Sequence, residues 1–156
     1  METSVSKRID APCERVWGII TDIEGSPDVI QGISKVEVLE RPESGLEGLK
    51  WRETRTMFGK EATEVMWITD VVANTSYRTR AESHGSVYVS TMELTREGDG
   101  CVLSASFSAT PQTFSAKLMW ALTGFMFRGS TRKAFEQDLD DIKRAAESTT
   151  AKGEPG

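Results

Sequence analysis

An α+β domain is the architecture this sequence predicts, and three observations predict it. Residues 33–110 carry segments of alternating hydropathy, separated by short breaks rich in Gly, Pro, Asn and Asp. The run from Pro111 to about Glu147 has no internal proline and repeats Phe114, Leu118, Leu122, Phe125, Phe135, Leu139 and Ile142 at helical spacing. A short strand and one or two short helices precede both. Strands grouped apart from helices separate α+β from an alternating α/β chain.

Taken in order, 3–10 alternates around Val5 and Ile9 and reads as a strand. Ala11-Pro12 breaks it, and 13–23 carries Val16, Trp17, Ile19, Ile20 and Ile23 at helical spacing. Glu24-Gly25-Ser26-Pro27 ends that helix, and 28–31 makes at most one further turn. Six strands follow, at 33–40, 49–58, 61–72, 76–83, 86–95 and 102–110. Turns such as Gly59-Lys60, Ala73-Asn74 and His84-Gly85 favour hairpins between sequential neighbours. The final helix would start at Pro111, capped by Thr110 or Ser108, and run about 50 Å at 1.5 Å per residue. A single domain over 1–147 with a polar, frayed tail at 148–156 is the expected organisation.

Composition narrows the function classes. The chain has 156 residues, 38% hydrophobic and 28% charged, with a net charge of -5. That balance argues against nucleic acid as partner, since phosphate binding needs a clustered basic face. The nearest basic group, Arg128, Arg132 and Lys133, runs straight into Glu136, Asp138, Asp140 and Asp141, and reads as a solvated helix surface. Cys13 and Cys101 fall at the starts of a helix and a strand, which does not suggest a disulfide, and no metal-ligand spacing occurs. The opening residues are polar and the apolar run at 118–127 is too short to span a bilayer, so a cytoplasmic location without stable membrane insertion is the default.

Ala11-Pro12-x-x-x-Val16-Trp17 after a strand, Asp22 with the Gly25-x-Pro27 break, the six-strand meander and the long terminal helix together resemble the START-like superfamily. This is the helix-grip or Bet v 1-like fold, which includes polyketide cyclase/dehydrase-like proteins, lipid-transfer domains and ubiquinone-binding proteins. The resemblance covers residues 2–147. It implies a seven-stranded curved antiparallel sheet wrapped around the long helix, two short helices closing one end, and a cavity between sheet and helix. Fold alone does not license a function.

Alternation then selects the residues that face such a space. In 49–58 the face with Trp51 and Met57 turns inward and takes Glu53 and Arg55 with it. In 61–72 the face with Ala62, Glu64, Met66 and Ile68 is preferred over the one with Trp67. Later strands contribute Tyr77, then Tyr88 and Met92, then Phe107, while Ser104, Ser106 and Ser108 form an outer row. From the helix, Leu118, Leu122, Phe125 and Met126 would roof the cavity. Gly124 and Gly129 weaken that half and make 124–129 a candidate gate.

Glu53, Arg55 and Glu64 carry two readings: a structural cluster in which Arg55 neutralises both carboxylates, or a polar anchor for a head group. The methionines suit a pocket for varied apolar molecules and equally serve as gap fillers. His84 reads as a turn residue. The sequence therefore predicts a carrier or sensor of a hydrophobic or amphipathic small molecule, with no cofactor. A cyclase/dehydrase-like enzyme using the polar set for acid/base work is the alternative. A homodimer through the apolar 118–127 face is a further expectation.

Overall fold

A computed structural model gives the fold. It describes residues 2–57, 59–83 and 85–152, with side chains except at 57, 120, 122–131 and 149–152. Strand β1 (Glu2–Ile9) leads through helices α1 (Cys13–Ile20) and α2 (Ser26–Val29) to six consecutive strands. These are β2 (Ile33–Glu40), β3 (Lys50–Met57), β4 (Lys60–Val72), β5 (Ser76–Ser83), β6 (Ser86–Glu97) and β7 (Gly100–Pro111). Helix α3 (Phe114–Lys152) ends the chain.

The seven strands form one antiparallel sheet in the order β1-β7-β6-β5-β4-β3-β2. Each hairpin pairs sequential neighbours, and β1 returns to pair with β7, Ile9 opposite Cys101. Irregularities in β2 and a register shift between Ile68 and Asp70 in β4 bend the strands locally. The shift in β4 also changes which residues face inward. Ile68 is buried before it and Val71 packs on the core after it, while Asp70 turns out to Arg78. Trp67 lies on the outer face as the alternation requires, where Lys50 Nζ stands 5.7 Å from its ring centroid.

The core is where α1 and the second half of α3 cover β1 and β7. Val5, Ile9, Val16, Cys101, Leu103, Leu139, Ile142 and Ala146 are all buried there. Polar ties hold β1 to α3. Lys143 Nζ donates to the Arg8 carbonyl at 3.0 Å, Asp10 N–H donates to Glu147 at 2.8 Å, and Lys7 pairs with Asp140.

Three sequence expectations are corrected. Cys13 and Cys101 form a disulfide, with Cα atoms 5.1 Å apart across 88 residues of sequence. The β1–β7 register explains it: Cys101 lies opposite Ile9, only four residues before Cys13. A disulfide belongs to oxidising surroundings more often than to reducing ones, so the cysteines lend no support to the cytoplasmic default. No described helix is long and apolar enough to cross a membrane.

Pro111 ends β7 rather than opening the helix, paired with Ser86. Its missing N–H is tolerated because β1 reaches only as far as Ser108 on the other side. Thr113, not Thr110 or Ser108, caps α3: its hydroxyl accepts the Ala116 N–H at 3.2 Å. Gly85 sits beside this cap with φ +75°, and a Cβ there would lie 2.5 Å from Thr113 Oγ1. The same turn accepts the Gln112 N–H on the Gly85 carbonyl at 2.7 Å, which fixes where α3 leaves the sheet. The helix then runs through Lys152.

Leu118 is 52% exposed and does not roof anything. Ala116 is the buried residue of that turn, and a residue two positions on points about 200° away, which puts Phe114 and Leu118 together on the open side. The 118–127 face expected as a homodimer contact is thus exposed at Leu118 and Met119. Its remaining apolar side chains lie outside those described.

Candidate functional site

A cavity of about 430 Å³ lies between the sheet, the two short helices and α3. Its floor is the inward face of β3 to β7, and its walls include Ile20 of α1, Val29 of α2, and Phe135 and Ile142 of α3. Most of the lining is apolar. Tyr88 and Phe107 stack with centroids 5.8 Å apart, and Phe107 meets Phe135 at 5.6 Å, so the aromatic wall continues from sheet to helix.

The alternation argument places its strand residues well. Trp51, Glu53, Arg55, Glu64, Met66, Tyr77, Tyr88, Met92 and Phe107 all line this cavity. The expected contributions of Met57, Leu122, Phe125 and Met126 lie outside the described side chains, as do His84 and the candidate gate at 124–129. Leu118 is not part of the lining.

Four charged groups enter the cavity. Arg55 reaches from β3 to α3 and makes a two-pronged contact with Asp138, Nη1 to Oδ1 and Nη2 to Oδ2, each 3.1 Å. Its Nε donates to Glu53 Oε2 at 3.4 Å. Glu53 also accepts the indole N–H of Trp51 at 3.3 Å. Gly32 leaves room for the guanidinium: a Cβ there would lie 3.2 Å from Arg55 Nη1. Burial alone would lower the Arg55 pKa, but Asp138 and Glu53 outweigh it and hold Arg55 above its ordinary value. Burial raises the Asp138 pKa, Glu53 and Asp141 raise it further, and Arg55 offsets only part of that rise. Glu64 stands directly opposite Glu53 in the β3–β4 register and makes no ion pair or hydrogen bond to any described residue.

Asp138 was hidden in the sequence by its charged surroundings. The signal that finds it is periodic: Phe135, Asp138, Leu139 and Ile142 share one stripe of α3, so an apolar face carries a carboxylate. Asp141 escapes in the same way. It is buried, accepts the Gln31 N–H at 2.9 Å and so ties the α2–β2 connection to α3. The expected structural cluster exists with a different composition: Arg55 serves Glu53 and Asp138, and Glu64 is left out.

Tyr77 is buried with its hydroxyl donating to the Ile20 carbonyl at 3.1 Å. Burial pushes its pKa up, and nearby Glu53 adds to this. The bond holds α1 over the cavity, with Trp17 edge-on to the Tyr77 ring at 6.2 Å. Among the described residues no group of three or more His, Cys, Asp or Glu is arranged to hold a metal ion.

The fold has counterparts among solved structures, although no curated protein matches the sequence. A START superfamily protein from Mycobacterium smegmatis superposes with a TM-score of 0.79 at 15% identity, covering 94% of this chain and 97% of that one. A protein from Thermus thermophilus gives 0.79 at 18% identity, covering 96% of this chain and 99% of that chain. The Zhui aromatase/cyclase from a Streptomyces species gives 0.75 at 16% identity, covering 96% and 95%. Such identities establish the shared helix-grip fold. The family model for polyketide cyclase / dehydrase and lipid transport matches residues 1–147. The chain belongs to that polyketide cyclase / dehydrase and lipid transport family.

Proposed function

We propose that this protein binds a hydrophobic or amphipathic small molecule between its sheet and α3, as a carrier or sensor. One observation carries the reading: an apolar cavity of about 430 Å³ with a few inward polar groups. Ligand sites are of this size and kind, mostly apolar with a small number of polar groups that fix orientation. An interior of this volume left unfilled costs stability, because its lining loses contact partners.

An enzyme reading, cyclase or dehydrase, has a specific observation behind it too. Three carboxylates and a guanidinium share the cavity with Tyr77 and Tyr88. Acid/base work needs a group free to move a proton. Arg55, Glu53, Asp138 and Tyr77 are each engaged with one another or with the backbone, which leaves Glu64 as the unengaged carboxylate among the described lining residues. Binding is the better-supported function.

The test fills the space. Met92→Trp should weaken binding of the neutral dye Nile red by about tenfold or more, a loss of about 1.4 kcal/mol. Leu39→Trp, at an exposed site away from the lining, should leave it unchanged. Equal affinity in both variants would defeat the cavity reading. Native mass spectrometry of freshly purified protein separates carrier from enzyme. A released molecule returned unchanged after incubation supports the carrier, and conversion that disappears in Glu64→Gln supports the enzyme.

A further inference from the structure

The charges of the cavity do not balance. Among the described lining residues, Glu53, Glu64 and Asp138 stand against Arg55 alone, three carboxylates to one guanidinium. Arg55 is also already shared between two carboxylates, which take three of its five N–H donors. Both terminal nitrogens face Asp138, Nε faces Glu53, and Gly32 lies close against Nη1. An incoming anion would find no free cation among these residues.

Glu64 is the group left over. It and Glu53 are directly opposed residues of an antiparallel pair, so their side chains leave the same face of the sheet with Cβ atoms about 5 Å apart. Like charges in that relation are destabilising. Nothing described in the protein relieves the contact, because Arg55 turns from Glu53 toward α3 rather than toward Glu64. Thr79, 8% exposed and on the cavity lining, likewise has no side-chain hydrogen bond to a described residue. Its hydroxyl can accept or donate and carries no charge to offset the carboxylates. The buried Tyr77 hydroxyl is already given to Ile20, and the other hydroxyls of the lining, such as those of Tyr88 and Ser90, are neutral, so the charged groups set the sign of the cavity. With Asp138 protonated, the direction in which burial pushes it, the carboxylates still outnumber the guanidinium.

We infer that the cavity selects apolar molecules carrying an amine head group, held as the ammonium cation by Glu64, and excludes amphipathic anions such as fatty acids. This rests on the cavity being a small-molecule site, as proposed above. The chemistry is complementary on both sides. An ammonium group brings donors and no acceptor, and a carboxylate such as that of Glu64 brings acceptors and no donor, whereas the neutral hydroxyls of the lining suit either head group. A carboxylate head group would instead add a fourth negative charge to a site whose cation is already shared. Exclusion of that kind gives specificity through the repelled partner as much as through the attracted one.

Matched ten-carbon probes test this. Decylamine, decanol and decanoate are each used to displace Nile red from the whole chain near neutral pH. Decylamine should bind about tenfold or more tighter than decanoate, with decanol between them, the size expected for one charge-assisted hydrogen bond. Glu64→Gln should cut the amine-to-acid ratio by about threefold or more while leaving decanol unchanged, and its melting temperature should equal or exceed the parent's, since Glu64 has no described partner to lose and its repulsion with Glu53 is relieved. If decanoate equals or exceeds decylamine while Nile red and decanol still bind, the head-group inference fails and the cavity reading stands. A full amine preference in Glu64→Gln overturns the assignment of Glu64. If neither Nile red nor decanol binds, the cavity reading fails and this inference falls with it.

Discussion

Arg55 and Asp138 pose a question that the geometry alone sharpens: whether a buried pair exists for stability or for what it leaves unpaired. Both side chains are largely removed from water, with 22% and 13% exposure. Desolvation of two ions can exceed their mutual attraction, so such a pair is weak evidence for stability. Removing one partner is different, because it strands the other. Asp138→Ala should therefore destabilise by about 1–3 kcal/mol in urea unfolding, with Glu53 limiting the loss. The triple exchange Arg55→Met, Asp138→Leu and Glu53→Gln, which leaves no charge of the cluster stranded, should come out near neutral, within about 1 kcal/mol of the parent. A triple variant as damaged as the single one would show that the ion cluster itself holds the fold. At this scale the sequence was legible wherever a residue's neighbours declared a face. Trp51 marked the inward side of β3 and carried Glu53 and Arg55 with it, whereas Asp138 lay in a run of charges that looked solvated throughout.

Elements were legible for a related reason. A period of two and a turn at each end define a hairpin from local sequence alone, and all six sequential strands appear where alternation put them. What local sequence does not contain is the closure of the sheet by β1 on β7, which brings Cys13 and Cys101 together across 88 residues. The helix start failed for a different reason. Pro111 is compatible with a first helical turn and with the last residue of a strand, and only the length of β1 decides between them. The disulfide gives this scale its prediction. It joins the start of α1 to the start of β7, and α1 otherwise rests on side-chain packing, the Tyr77 hydroxyl and an exposed Glu14–Arg96 ion pair. Closing so long a loop restricts the unfolded chain, and losing the bond should cost roughly 2–4 kcal/mol. Cys13→Ala with Cys101→Ala should lower the urea midpoint accordingly, and a reducing agent should lower that of the parent but not of the variant. A parent indifferent to reductant would show that the bond adds nothing.

Across the whole molecule, the cavity joins parts of the chain that otherwise meet little. Its lining draws on α1, α2, six strands and the second half of α3. The sheet and helix are packed firmly at one region, around Ile9, Leu103, Leu139 and Ile142, and the open volume lies where the aromatic wall of Tyr88, Phe107 and Phe135 takes over. Strand periodicity identified the inward faces but carried no measure of this volume, because a filled core and a pocket present the same alternating pattern. The two differ in their response to a ligand. A molecule that binds the folded state alone adds about 2.7 kcal/mol at a concentration of 100 times its Kd. For a chain of this length each kcal/mol moves the melting temperature by about 2–4 °C, so saturating decylamine should raise it by roughly 5–10 °C. The rise should grow with ligand concentration. Met92→Trp, whose side chain occupies the space beforehand, should show little of it. A melting temperature unmoved in the parent at concentrations that displace Nile red would mean that the probe binds elsewhere, on surface that unfolding does not destroy.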